Sequence, residues 1–74
     1  MSNKQFLNEQ IDILNISAKT FSILKNNKLN KIEDVWKLKR KNLKEMGISE
    51  TEIIRIIVFL QLQGYDLNQK IYIK

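Results

Sequence analysis

The sequence contains no cysteine, no histidine and no proline, and it has only two glycines, Gly47 and Gly64. Without cysteine and histidine, disulfides, thiolate or imidazole metal sites and Ser-His or Cys-His catalysis are excluded. Carboxylate or lysine chemistry is the remaining enzymatic option, and the carboxylates are poorly arranged for it. Glu33 and Asp34 are adjacent on a helix and so diverge, while Glu50 and Glu52 sit where the start of a helix accounts for them. No glycine-rich phosphate loop is present, and no cofactor is expected. No apolar run reaches the roughly 18 residues of a membrane span, and the opening "MSNKQFLNEQ" lacks the basic-then-apolar layout of a signal peptide. The expectation is a soluble, cytoplasmic protein that is not an enzyme and has no membrane partner.

What is present is short and basic. A chain of 74 residues makes one domain at most. At this length folding buries only about 60% of the surface that the unfolded chain exposes, so an efficient helical core or a partner is needed. Thirteen basic residues against eight acidic ones give a net charge of +5, which draws polyanions at long range. Eleven of the thirteen are lysine, in a chain also crowded with Ile and Asn. Base composition of a genome can produce that pattern, so solvated lysines on helix faces are an equal reading until position is considered.

Position points to helices. Ser17 is an N-cap ahead of "AKTFSILKNN", which predicts a first helix over about 18–27 with Phe21, Leu24 and Lys28 on one stripe. "NNKLNK" should break it, because Asn tolerates left-handed and turn conformations. Asn30 is the expected cap of a short second helix with Glu33 and Asp34 in its first turn, where the helix dipole favours negative charge, and with Ile32, Val35, Trp36 and Leu38 available to the core. Trp36 reads as a core residue before it reads as a base-stacking platform. A third helix is expected over about 40–45, ended by Gly47 as C′. Ser49 caps a fourth, with Glu52 three residues on as a capping box, and Gly64 closes it. The apolar lead "FLNEQIDIL" precedes these helices. The tail "IYIK" follows them, alternating like a strand without an obvious partner.

From Ile11 to Leu67 the chain resembles the C-terminal domain of the bacterial RNA polymerase alpha subunit, a helical domain built around a helix-hairpin-helix-like unit. The likeness rests on "IDILNISAKTFSILKNNKLNKIEDVWKL", similar to that family's "hxxLxLSxRxxNxLKxxxIxTIxDL" with h apolar, and on "FLQLQGYDL", similar to its "LxxxGLxL". The resemblance implies binding to the DNA minor groove and docking on transcription machinery, through an Arg and an Asn of the first helix and a Gly-Lys-Lys-Ser turn before the last. Lys19 stands at the Arg position and Ser22 at the Asn position. Lys keeps the charge but lacks the planar fork that fits a narrow groove. Counting back without gaps from Gly64 puts Ser49, Thr51 and Glu52 at the family's Gly, second Lys and Ser, whereas matching Gly47 to the glycine needs a two-residue gap. On either alignment the two turn lysines are missing.

A second resemblance is to the end of sterile alpha motif (SAM) domains, which mostly bind other proteins. "DVWKLKRKNLKEMGISETEIIRIIVFLQ" is similar to their "LLxLTxxDLKxLGIxxxGxRxKILxxI".

Two surfaces follow from the pattern. Lys37, Lys39, Arg40, Lys41 and Lys44 surround the third helix with no acid before Glu45. They read either as a solvated face or as a strip that positions DNA phosphates beside the turn at Gly47. On the last helix, Ile53, Ile56, Ile57 and Leu60 make the core stripe, while Ile54, Val58 and Leu62 recur every four residues on the other side. That second stripe is covered by the chain's own Phe6, Leu7, Tyr72 or Ile73, or it is the interface of a homodimer or partner.

The expected fold is all-α, a compact bundle of four to five short helices like the polymerase alpha C-terminal or SAM domains, with a lead over 1–10, a helical domain over 11–67 and a tail over 68–74. The expected function is DNA binding or transcription regulation through Lys19, Ser22, Lys39, Arg40, Lys41, Gly47, Ser49 and Thr51, contacting the minor groove or the backbone. The competing expectation is a protein-interaction module that dimerises or docks through Ile54, Val58 and Leu62.

Overall fold

Hydrogen bonds close in sequence define the helix ends. The structure is a computed structural model that describes residues 4–72. Five short helices run in order: α1 (Lys4–Leu7), α2 (Ala18–Asn26), α3 (Ile32–Trp36), α4 (Arg40–Glu45) and α5 (Glu50–Leu62), with a 3-10 turn at Ile11–Ile13 between the first two. Ser17 caps α2 as expected, its Oγ accepting the Thr20 N–H at 3.2 Å. Gly47, at φ +97°, closes α4 with the Ile48 N–H donating to the Leu43 carbonyl and the Gly47 N–H to the Lys44 carbonyl. This pair of bonds satisfies carbonyls that the end of the helix would otherwise leave free.

The same closure ends α2, but on an unexpected residue. Leu29 N–H donates to the Leu24 carbonyl and Lys28 N–H to the Lys25 carbonyl, so the left-handed position falls on Lys28, at φ 62°, and on neither Asn. Helix length, not residue preference, decides which position must turn. Asn27 serves the helix end differently, its side-chain amide donating to the Ile23 carbonyl. Lys28 therefore lies beyond the helix and exposed, off the stripe where Leu24 is fully buried.

The cap of α3 also differs by one residue. Lys31 holds that position, because the Asp34 carboxylate accepts the N–H groups of both Asn30 and Lys31. The Asn30 side chain is occupied elsewhere, accepting from the Lys25 ammonium. Its main chain pairs with the N-terminal segment, with Ile11 N–H donating to the Asn30 carbonyl and Ile32 N–H to the Glu9 carbonyl.

The all-α expectation holds only in its main part. The fold is largely helical, but Tyr65–Asp66 (β1) and Lys70–Ile71 (β2) form a small antiparallel hairpin in the register Tyr65 to Ile71 and Asp66 to Lys70. Ile71, the first residue of "IYIK", thus finds its strand partner in Tyr65, just after Gly64. Asn68 and Gln69, both left-handed, make the tight reversal. Their N–H groups donate to the carbonyls of Leu38 and Trp36, and the Trp36 indole N–H donates to the Lys70 carbonyl at 3.0 Å. The hairpin is therefore fastened to the α3–α4 connection.

The core joins every helix. Ile11, Leu24, Ile32, Val35, Leu43, Ile53, Ile56 and Leu60 are fully buried, with Trp36 and Leu38 partly so. Phe6 and Leu7, from the segment read as a lead, are core members as well. The radius of gyration of 11.2 Å matches the roughly 11 Å expected of a close-packed chain of this length.

Candidate nucleic-acid interface

Glu52 organises the start of α5 in a way that its local sequence does not reveal. Ser49 Oγ accepts the Glu52 N–H, as half of the expected capping box. The other half is missing: the Glu52 side chain turns inward and reaches α2. One carboxylate oxygen, Oε1, accepts the Ser17 N–H at 2.7 Å and the Thr20 hydroxyl at 2.8 Å. Ser17 and Thr20 are the cap and third residue of α2, so Glu52 completes from 35 residues away a cap that a local acid would ordinarily complete. The bond from the Ser17 N–H, then the Ser17 and Thr20 hydroxyls and the nearby Arg55 charge, hold the Glu52 carboxyl below its ordinary value against the opposing effect of burial.

This bond draws the start of α2 onto the start of α5. Lys19 and Ser22 lie on the exposed face of α2, and Gly47, Ser49 and Thr51 are exposed around the beginning of α5. Gly47, Ser49 and Thr51 thus lie about the start of α5 and Lys19 lies in the first turn of α2, whereas Ser22 is in the second turn of α2. Glu50 is the exposed acid there, and two cations attend it: Arg40 Nε at 3.6 Å and Lys44 Nζ at 3.7 Å. Neither carboxylate therefore stands as a bare negative charge at the turn. Exposed pairs of this kind add little to stability, but they set the local sign of the field.

The remaining basic residues are gathered elsewhere. Lys39, Arg40 and Lys41 line a groove of about 530 Å³ together with Gln61, Asp66, Asn68 and Lys70. Arg40 belongs to both places. Lys70 was not singled out by the sequence, since its position depends on a chain reversal that the sequence pattern does not display.

The second stripe of α5 is open. Ile54, Val58 and Leu62 are 46%, 47% and 64% exposed and border a cleft of about 240 Å³ with Asn15, Arg55 and Phe59. The expectation that terminal residues fold over it fails for those described: Phe6 and Leu7 enter the core, and the Tyr72 N–H donates to the Gly64 carbonyl. Ile73 lies outside the described residues.

Among the described residues, no group of three or more acidic side chains could hold a metal ion, and no helix is long and apolar enough to cross a membrane. No protein-family model matches the chain, and no curated protein matches it.

Proposed function

We propose that the chain is a non-enzymatic DNA-binding module of the transcription apparatus, built like the polymerase alpha C-terminal domain. One observation carries this reading. The Glu52 carboxylate ties the start of α2, which carries exposed Lys19, to the start of α5, which follows the exposed turn at Gly47. A cationic helix face beside free N–H groups at a helix start suits a phosphate backbone. The net charge of +5 supports the same partner.

Replacing Lys19 by Ala should weaken binding to a short A·T-rich duplex. The slope of log K against log salt should shrink by about 0.9, as expected when one phosphate contact is lost. Fluorescence anisotropy at several salt concentrations measures both quantities. Equal affinity and slope in the two proteins would remove α2 from the interface.

The open stripe on α5 favours a second reading, a protein-interaction module of SAM-like type. The two separate on oligomeric state, since an apolar stripe of this sort pairs well with its own copy. The DNA-binding reading expects a monomer in sedimentation, with Val58→Asp melting within about 0.5 kcal/mol of the parent because the site is solvated. A dimer that Val58→Asp converts into a folded monomer would favour the interaction module instead.

A further inference from the structure

The groove between the start of α4 and the C-terminal hairpin is unusual in its charge. Lys39, Arg40 and Lys41 come from one side of the sequence and Lys70 from a hairpin some 30 residues later, against a single carboxylate, Asp66. Lys39, Lys41 and Lys70 have no ion-pair partner among the described residues, and Arg40 extends from here to Glu50 at the start of α5. Asp66 is partly compensated, since it accepts the Leu67 N–H at 2.8 Å. Cations that outnumber the acids around them repel one another, and an anion relieves that repulsion.

The groove is also held in shape. The N–H groups of Asn68 and Gln69 are bonded to the carbonyls of Leu38 and Trp36 at 2.8 and 2.9 Å, and the Lys70 carbonyl accepts from the Trp36 indole. The backbone of Lys70 is thus fixed opposite α4 before any ligand arrives, which lowers the ordering cost of binding.

We propose that this groove is a second phosphate-backbone site for nucleic acid, in which Lys70 joins Lys39, Arg40 and Lys41 on the phosphodiesters of a strand whose duplex is held at the start of α5. It rests on the DNA-binding reading and extends the footprint through Arg40, which borders both regions. An acidic polypeptide is the less suited partner. Protein interfaces draw most of their energy from large side chains anchored in apolar pockets, and a more apolar cleft lies elsewhere among the described residues, beside Val58. Beside Ile57 and Leu67, the groove offers four cations and the amides of Gln61 and Asn68, a lining mainly polar and basic, as a nucleic-acid surface is.

The test is an amide NMR titration of the whole chain with an A·T-rich duplex, repeated with poly-glutamate, alongside salt-dependent affinities of a variant carrying Lys39→Gln, Lys41→Gln and Lys70→Gln. The Lys39 side chain makes no capping bond, so the variant should fold, and its amide spectrum checks this. Duplex should shift amides at 39–41 and 68–70, the variant should lose about 2.7 units of salt slope, and preference among duplex sequences should be unchanged. Asp66→Asn should bind more tightly, because it removes the one repulsive charge. Shifts confined to the Lys19 and Thr51 regions, with the slope of the variant unaltered, would overturn the groove and leave the main reading intact. Shifts confined to the groove would overturn the α5-start interface, and with it the proposal that the groove is a second site on the same duplex. Silence at both would overturn both, and groove shifts as strong with poly-glutamate as with duplex would overturn the nucleic-acid assignment.

Discussion

Glu52→Ala should lower the unfolding free energy by about 2–3 kcal/mol, measured by urea denaturation at neutral pH. The substitution removes two bonds to a charged acceptor: the Ser17 N–H loses its acceptor, and the buried Thr20 hydroxyl keeps only the 3.2 Å contact in which it accepts from the Ser17 hydroxyl. Bonds to charged groups contribute about 1.5–3 kcal/mol each, and an orphaned buried donor costs about 1–3 kcal/mol. Some relief comes from water reaching the Ser17 end, which is exposed. Glu52→Gln is the milder variant, since its amide oxygen can still accept, and it isolates the role of the charge. The folded-state pKa of Glu52 lies below its ordinary 4.5, chiefly because the Ser17 N–H donates to the carboxylate. A depressed pKa contributes stability that is present above the unfolded value and is lost as pH falls through the folded value. Melting temperature should therefore be flat at neutral pH and fall as pH drops below about 4.5, more steeply in the parent than in Glu52→Gln. Asp34, lowered from 3.8 first by its bond from the Lys31 N–H, adds a similar acid loss that both proteins share. Parallel melting curves for parent and Glu52→Gln down to about pH 3 would mean that the charge plays no part.

Glu52 also marks the boundary of what the sequence could reveal. The Ser17 cap, the bounds of α4 and the closures at Gly47 and Gly64 were legible because each depends on residues within one or two turns. The core stripe of α5 was legible because helical periodicity encodes it. Glu52 three residues after Ser49 satisfied the local capping pattern equally well, yet its carboxylate is bonded to α2, and periodicity carries no information about which helix start lies nearby. The left-handed Lys28 was missed because Asn preference competes with helix length, and length prevailed. The tail's alternation was legible, but its partner was not, because Tyr65–Asp66 is too short a strand to display an alternating pattern of its own. Of the candidate site, exposure on α2 and around the turn was readable from helix faces. The division of the basic residues into an α5-start group and a groove group was not, because Lys70 reaches that groove only through the hairpin.

Phe6→Ala should be more damaging still, costing about 3–4 kcal/mol, even though its segment precedes every strong helix signal. The Phe6 ring lies 5.8 Å from both Phe59, near the end of α5, and Tyr65 of β1, and Tyr65 in turn meets Trp36 edge-on at 5.3 Å. One side chain from α1 thus joins the end of α5, the hairpin and α3, and only 5% of it is exposed. Truncating a buried Phe costs about 3–5 kcal/mol through lost transfer energy and the cavity left behind. Against the roughly 4–11 kcal/mol expected of a domain this size, the loss is a large share of total stability. The effect should appear as a lower urea midpoint with an unchanged m value, since the same surface is exposed on unfolding. Tyr72→Ala, at the exposed end of the hairpin, is the control and should stay within about 0.5 kcal/mol. The same argument sets the limit of the foldable unit: a chain starting at Ile11 lacks Phe6 and Leu7 and should melt far below the full sequence. A Phe6→Ala midpoint equal to that of the parent would place α1 outside the core and move the start of the folding unit to Ile11.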